Sequence, residues 1–182
     1  MPRIHLVRHG KAAATFTEAS DPGLDAQGKQ QAEATAQRLA LLAPVQLLSS
    51  PLKRARETAL PLETRWQRSA RIEDAIAEIP SPGIAMDARG AWLRAIMTGT
   101  WSDAPAPQRQ WASNVVATLL ALPHDVIAFS HFVAINVAVA HALGRDEVTV
   151  FRPDNASITI LESDGKNLRV IELGSEAATS VG

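Results

Sequence analysis

The sequence predicts an α/β fold with three layers, α/β/α, around a mainly parallel central sheet that includes at least one antiparallel strand pair. Short apolar and β-branched runs alternate with longer helix-forming segments over most of the chain. Near the end, two alternating segments, 156–163 and 167–173, flank Asp164-Gly165. That dipeptide between two such segments is typical of a β-hairpin and predicts the antiparallel pair.

The first half of the chain predicts strands followed by helices. Residues 3–7 form a short apolar, β-branched run that ends at Arg-His-Gly, which predicts a strand that opens into a loop. The segment 25–42 is rich in helix formers and begins at Asp25, which suits an N-cap. Pro44 ends this helix, and the run 45–50 predicts a second strand.

The next elements are marked by prolines. Pro51 suits the first position of a helix over 52–66, and Pro61 predicts a break or kink within it. A short strand is expected within 69–74. The following region carries loop chemistry around one helical segment over 87–101.

Three further elements precede the hairpin, namely a helix over 108–122, a strand over 125–131 and a helix over 132–144 that ends at glycine. The carboxyl ends of parallel strands share one sheet edge, and ligands bind beyond that edge in such folds. Arg8-His9 and Ser130-His131 both follow predicted strands. We therefore expect the two histidines to meet.

Composition limits the classes of function. With 46% hydrophobic and 20% charged residues, the 182-residue chain is ordinary globular protein, and we expect one domain over 1–174 with a flexible tail over 175–182. The formal net charge of -1 provides no basic field for nucleic acid or an anionic membrane. The chain has no cysteine, signal peptide or membrane-spanning run, so we expect a soluble cytoplasmic protein.

Two short motifs carry residues suited to phosphate chemistry. A histidine can attack phosphorus through one ring nitrogen when the proton on the other is held, commonly by a backbone carbonyl, so His9 is a candidate nucleophile. Arg8 offers a planar fork of donors that fits phosphate oxygens. In SSPLKRARETA, Arg54 lies at the start of a helix that follows a strand, so a second guanidinium and a helix N-terminus face the same edge.

Taken in order, these motifs resemble those of the histidine phosphatase, or phosphoglycerate mutase-like, superfamily. The matching segments are LVRHG, LDAQGKQQA (compare LTxxGxxQA), SSPLKRARETA, the glutamate of AEIPSPG, FSHFVAI and PDNASITILE. They cover most of the chain, and their order and spacing are far more specific than any single motif.

The resemblance implies a catalytic mechanism. His9 would attack the phosphoryl group and become a phosphohistidine that water hydrolyses, without a metal or any other cofactor. Arg8, Arg54 and His131 would hold the phosphoryl oxygens, with His131 counted among the catalytic residues. Glu78, at the family's acidic position, would protonate the leaving group and then take a proton from water.

The chain departs from the family pattern at three places. The family often has Thr and then Asn after RHG, where this chain has Lys11-Ala-Ala-Ala-Thr. Phe132 follows His131 where glycine is more usual. Glu78 precedes IPSPG instead of the family's GxWEG ending, which leaves Glu73 and Asp74 as alternatives for the acid.

These features predict a metal-independent phosphatase for a small phosphorylated substrate or a phosphoprotein. A protein phosphohistidine phosphatase is the alternative that a compact chain favours, whereas phosphoglycerate mutases are usually longer. The departures leave a third class open, a phosphate-binding or interaction module without turnover. Nucleic acid and membrane partners are not expected. The substrate's identity and the oligomeric state stay open.

Overall fold

The computed structural model describes residues 1–15, 18 and 20–177. These residues form strands and helices that alternate along most of the chain. The strands are β1 (Arg3–Arg8), β2 (Gln46–Ser49), β3 (Arg71–Ile72), β4 (Val126–Ser130), β5 (Ile158–Ser163) and β6 (Leu168–Glu172). The helices are α1 (Ala26–Leu39), α2 (Lys53–Trp66), α3 (Arg89–Met97), α4 (Ala106–Leu120) and α5 (Phe132–Leu143).

The strands form one mixed six-stranded sheet in the order β3-β2-β4-β1-β5-β6. The pairs β1–β4, β2–β4 and β2–β3 are parallel, whereas β1–β5 and β5–β6 are antiparallel. The last pair is the hairpin predicted at Asp164-Gly165, where Gly165 has a φ of 84°. A mainly parallel sheet with antiparallel pairs is therefore confirmed.

Helices cover both faces of this sheet. Successive side chains of a strand point to opposite faces, so β1 and β4 contribute apolar residues to both helical layers. On one face, Ile4, Leu6, Val126 and Ala128 pack in a buried cluster with α4 and α5. On the other face, Val7, Leu47, Ile127 and Phe129 pack in a second cluster with α1 and α2. The three predicted layers are thus present, and β1 and β4 lie at their centre.

Helix α1 begins where the sequence indicated. Asp25 has an extended backbone, and its carboxylate accepts a hydrogen bond of 2.7 Å from the Gly28 amide. This is the N-cap contact that satisfies an otherwise unpaired amide of the first turn.

The start of α2 differs from the prediction, and the break considered at Pro61 does not occur. The helix begins at Lys53, with Leu52 as its N-cap, and not at Pro51. It also runs unbroken through Pro61. A proline inside a helix costs about 3 kcal/mol, and the buried face of α2 against the sheet, which includes Ala59 and Leu62, offsets that cost.

The middle of the chain is less regular than its sequence suggested. The strand expected within 69–74 consists of two residues, Arg71–Ile72. The helical segment expected over 87–101 divides into a 3-10 turn at Met86–Ala88 and helix α3. Within the described part of the chain, no helix combines the length and the apolar character needed to cross a membrane.

The expected tail over 175–182 begins with paired residues. The Ala177 amide donates to Arg152 O at 2.9 Å, and the Asp154 amide donates to Ser175 O at 2.7 Å. Residues 178–182 lie outside the described residues. This pairing attaches the segment 175–177 to the loop that follows α5.

Candidate active site

The carboxyl ends of β1 and β4 bring the two histidines together, as predicted. Arg8 pairs in register with Ser130, and the His9 amide donates to Ser130 O at 3.0 Å. His9 and His131 directly follow the last residues of these two strands, and the centroids of their rings lie 5.1 Å apart. Adjacent parallel strands thus place both rings at one edge of the sheet.

The hydrogen bonds of His9 define which ring nitrogen carries a proton. His9 Nδ1 lies 2.7 Å from the carbonyl oxygen of Gly10, an acceptor that requires Nδ1 to carry the proton. Arg54 Nε donates to His9 Nε2 at 3.1 Å, so Nε2 is the unprotonated nitrogen. Burial lowers the pKa of His9 well below its usual range, and the charges of Arg54 and Arg8 lower it further. His9 is therefore a neutral imidazole with a lone pair on Nε2.

Helix α1 packs directly on the loop that follows His9. A Cβ on Gly10 would lie 2.5 Å from Gly28 O, and a Cβ on Gly28 would overlap Lys11 O. Only glycine permits this close approach of two backbones. The Lys11 amide donates to Gln31 Oε1 at 2.9 Å, and Lys11 Nζ lies 3.3 Å from Asp25 Oδ2. The LDAQGKQQA motif therefore holds the RHG loop in place.

We expect Gly28→Ala to lower the free energy of unfolding by about 1–3 kcal/mol, because the added methyl group displaces the Lys11 backbone. Gly99→Ala is the matched control, since its Cβ would meet its nearest neighbour at an ordinary 3.4 Å. Urea unfolding of both variants measures the difference. Equal stability of the two variants would contradict the close packing of α1 on this loop.

Arg8 is buried at the end of β1 and is held on two sides. Its Nη1 donates to Pro153 O at 2.8 Å, and its guanidinium carbon lies 5.3 Å from the centre of the Phe132 ring. A guanidinium at this distance from an aromatic ring is stabilised by a cation–π interaction. Phe132, one of the departures from the family pattern, thus supports an arginine of the site.

Arg54 lies in the first turn of α2 and is only 2% exposed. Its neighbour Ser50, in the loop between β2 and α2, accepts a hydrogen bond of 3.2 Å from the Leu52 amide. The SSP motif therefore shapes the turn that directs α2, and with it Arg54, toward His9.

His131 lies beneath the site. It is 0% exposed, and its Nε2 is 2.7 Å from Ser50 Oγ. Its Nδ1 is buried and has no hydrogen-bond partner among the described residues. Burial lowers the pKa of His131 well below its usual range, and the charges of Arg54 and Arg8 add to this effect. His131 is thus a neutral group next to His9, behind the surface that solvent contacts.

Of the three candidate acids, only Glu78 lines the cavity that contains His9. It lines the same cavity as Arg8, His9 and Arg54. Burial raises the pKa of its carboxyl, although the Ile79 amide, which donates to Oε1 at 3.0 Å, and both guanidiniums oppose the rise. A raised pKa suits a group that gives up a proton near neutral pH.

The alternative acids have other contacts. Glu73 lies 3.1 Å from Arg71 in an ion pair and accepts a bond from the Ala75 amide. Asp74 begins a 3-10 turn on the exposed side of the chain. Neither lines the cavity that contains His9.

The cavity above the histidines has a volume of about 540 Å³. Its lining combines the charged candidates with small or apolar side chains. The latter include Ala12, Ala13, Ala14, Pro22, Leu93, Met97 and Val133. Such a cavity has room for a phosphoryl group and an attached organic group.

Helix α3 covers one side of this cavity. Leu93 and Met97 line it, and the same helix packs with Trp92 in an apolar cluster around Phe132 and Val133. The tryptophans at 92, 101 and 111 belong to this packing. These tryptophans therefore pack in the apolar layer beside the cavity.

Two residues of the cavity were not predicted as site residues. Asn155 Nδ2 donates to His9 O at 3.1 Å, and Asp154 lines the cavity beside it. The late motif PDNASITILE was the available signal, because both residues lie within it.

Comparison with known proteins agrees with this geometry. Residues 4–176 match the Histidine phosphatase superfamily (branch 1). The chain belongs to this superfamily. The match extends from β1 to the paired segment after β6 and so includes every site residue described above.

Relatives within the superfamily cover most or all of the chain. An uncharacterized protein of Mycobacterium tuberculosis, Rv0525, is 30% identical over 146 residues, which are 71% of this chain and 72% of that protein. The structure of a mycobacterial glucosyl-3-phosphoglycerate phosphatase in complex with VO3 has a TM-score of 0.73 and 25% identity, and the match covers 97% of this chain and 100% of that one.

A third protein is similar in fold. The phosphoserine phosphatase of Entamoeba histolytica, in complex with 3-phosphoglyceric acid, has a TM-score of 0.75 at 20% identity, and the match covers 96% of this chain and 98% of that one. Solved proteins named as phosphatases thus have the same architecture as this chain.

Proposed function

We propose that this protein is a metal-independent phosphatase that hydrolyses phosphate monoesters through a phosphohistidine at His9. The observation that carries this proposal is the unprotonated Nε2 of His9 beside Arg54, in a cavity that Glu78 also lines. Phosphoryl transfer mainly requires a positioned nucleophile and fixed positive charge. Both requirements are met by residues of this chain.

In the first step, His9 Nε2 attacks phosphorus and the bond from phosphorus to the ester oxygen breaks. The Nδ1 proton stays hydrogen-bonded to Gly10 O, which stabilises the positive charge that develops on the ring. Glu78 gives its proton to the leaving oxygen, so the alcohol departs uncharged. Its raised pKa keeps the carboxyl protonated at higher pH than an ordinary glutamate.

In the second step, water attacks the phosphohistidine opposite the ring nitrogen. Glu78, now a carboxylate, takes a proton from that water, and the bond between phosphorus and Nε2 breaks. Inorganic phosphate leaves, and His9 returns to its neutral form. The lowered pKa of His9 favours this return, because it makes the neutral ring, protonated only on Nδ1, the stable form in the free protein.

Arg8 and Arg54 are the residues we assign to the phosphoryl oxygens. In the free protein, Arg54 Nε donates to His9 Nε2. When a phosphoryl group binds, Arg54 donates to a phosphoryl oxygen instead, and His9 Nε2 becomes available to attack phosphorus. Buried guanidiniums stabilise the transition state strongly because little water screens them. His131 lies beneath the cavity in the free protein, and we propose that its buried Nδ1, which has no other partner among the described residues, donates to the phosphoryl group once that group is bound beside His9.

The substrate class we propose is a phosphate monoester of a small molecule or of a protein side chain. The cavity of about 540 Å³ is larger than a phosphoryl group alone needs. Relatives named as glucosyl-3-phosphoglycerate phosphatase and phosphoserine phosphatase act on phosphate esters. They support the reaction class without defining this chain's substrate.

The proposal is tested by release of phosphate from p-nitrophenyl phosphate in the presence of EDTA. We expect turnover by the purified protein that chelation does not reduce. Activity that EDTA abolishes would overturn the metal-independent mechanism. A phosphohistidine-bearing protein and a set of alkyl phosphates are assayed in parallel, and preference for the former would favour the protein phosphohistidine phosphatase. Binding of phosphate without turnover of any substrate would instead indicate a binding module.

A further inference from the structure

A closed ring of four hydrogen bonds joins the two segments that carry His9 and Arg54. His9 Nδ1 bonds to Gly10 O at 2.7 Å, and the Gly10 amide donates to Thr58 Oγ1 at 3.0 Å. Thr58 Oγ1 donates to Arg54 O at 2.7 Å, and Arg54 Nε donates to His9 Nε2 at 3.1 Å, which closes the ring. The ring therefore contains both nitrogens of the proposed nucleophile and the arginine beside it.

Thr58 is the member of this ring with no assigned role. It is 1% exposed, on the second turn of α2, one turn after Arg54. Its hydroxyl donates to the helix and accepts from the loop, so both functions of one small group are used. Without that acceptor, the buried Gly10 amide would lose its partner, which costs more than an exposed bond would.

The loop has little freedom to adjust on its opposite side. The backbone of Gly28 lies so close to Gly10 that a Cβ there would be 2.5 Å from Gly28 O. Gly10 is thus held between the backbone of α1 and the hydroxyl of Thr58. The Gly10 carbonyl, which fixes the His9 tautomer, belongs to the same residue as the amide that Thr58 holds.

We propose that Thr58 is a positioning residue that sets the tautomer of His9 and the distance between His9 and Arg54. This inference rests on the proposed function, because it assigns Thr58 to the same reaction. Thr58 contacts neither substrate nor the reacting atoms, and it acts through Gly10 on one side and Arg54 on the other.

The test compares Thr58→Val, which has nearly the same shape but no hydroxyl, with Thr58→Ser, which keeps the hydroxyl. Thr64→Val is the matched control, because Thr64 lies on the same helix and makes the same backbone contact, to Leu60 O at 2.9 Å, but is exposed. The measurements are kcat and KM on p-nitrophenyl phosphate, the unfolding midpoint, and the tautomer of His9 by ¹⁵N NMR of the imidazole nitrogens.

We expect Thr58→Val to lower kcat by about 10- to 100-fold while KM changes less, because a small misplacement of reacting groups costs this much. NMR of that variant should show a mixture of His9 tautomers in place of the single Nδ1-protonated form. Thr58→Ser and Thr64→Val should match the wild type in both measurements. If Thr58→Val does not fold, Thr58→Ala removes the same hydroxyl without placing a methyl group where the hydroxyl was.

Wild-type kcat and an unchanged His9 tautomer in the folded valine variant would overturn the inference. So would an equal loss in Thr58→Val and Thr58→Ser, since the hydroxyl would then not be the active feature. The NMR arm does not depend on turnover. A wild-type protein without phosphatase activity would contradict the proposed function, and the tautomer of His9 would still decide the role of Thr58.

Discussion

Replacing His9 with alanine is expected to reduce phosphatase activity by about 10⁴-fold or more, because the side chain that we propose to form the covalent intermediate is then missing. His9 is the residue whose Nε2 is unprotonated and whose Nδ1 is held by Gly10 O. The measurement is kcat/KM on p-nitrophenyl phosphate, together with circular dichroism and the unfolding midpoint to establish that the variant is folded.

A second histidine provides the control for this prediction. His141 is exposed near the end of α5, so His141→Ala should retain wild-type activity. Full activity of a folded His9→Ala variant would exclude His9 as the nucleophile. A similar loss in both variants would indicate a general effect on the fold.

Replacing Glu78 with glutamine is expected to reduce the rate on alkyl phosphates by about 10²- to 10⁴-fold, the usual contribution of a general acid. The reason is that an alkoxide is a poor leaving group unless it receives a proton, whereas an activated aryl oxide leaves readily without one. The loss on p-nitrophenyl phosphate should therefore be much smaller. Parallel measurement of kcat/KM on an alkyl and an aryl phosphate gives the two ratios, because kcat/KM reflects the steps up to formation of the phosphohistidine and not its hydrolysis by the second step.

The dependence on pH follows from the same assignment. Glu78 must be protonated for the first step, and burial raises its pKa, so the rate on alkyl phosphates should fall only as pH rises through that raised value. His9 must be neutral, and its lowered pKa keeps it so into the acid range. In Glu78→Gln, the fall at high pH should disappear from the profile for alkyl phosphates.

Glu73→Gln is the matched control for this variant, because Glu73 pairs with Arg71 outside the cavity. It should leave both rates unchanged. An equal loss on alkyl and aryl phosphates in Glu78→Gln would contradict the assignment of Glu78 as the acid. A selective loss in Glu73→Gln would transfer that assignment to Glu73.

The layers of the fold could be predicted because local signals agree with tertiary packing. The runs at β1, β2 and β4 are short, apolar and followed by helical segments, and Asp164-Gly165 marks a hairpin. The break considered at Pro61 does not occur, because the hydrogen bonds within a helix are not the only source of its stability. The buried face of α2 against the sheet stabilises the helix across that residue.

The candidate site could be predicted where residues suited to phosphate chemistry directly follow predicted strands. Arg8-His9 and Ser130-His131 end neighbouring parallel strands, and this alone places the rings together. The order of the motifs predicted Arg54 and Glu78. The structure places Arg54 in hydrogen-bond contact with His9 and Glu78 in the lining of the same cavity. Their catalytic roles stay predictions that the variants above test.

Other features of the site could not be read from spacing. The exposure of His131 depends on how Ser50 and the rings pack, and the structure places it beneath the cavity instead of on its wall. Lys11 lies toward Asp25 because α1 packs on the loop. The hydrogen bond from the Gly10 amide to Thr58 Oγ1 joins residues 48 positions apart, so it forms only when α2 packs against the end of β1.

The phosphorylated form of the protein itself tests the central claim most directly. A rapid alkaline quench during turnover of p-nitrophenyl phosphate, followed by mass spectrometry of the proteolytic peptides, locates any phosphoryl group. We predict an acid-labile, alkali-stable phosphoryl group on His9, absent from His9→Ala and longer-lived in Glu78→Gln, which lacks the base for hydrolysis. Turnover with no phosphoryl group on His9, or with one on another residue, would contradict the mechanism.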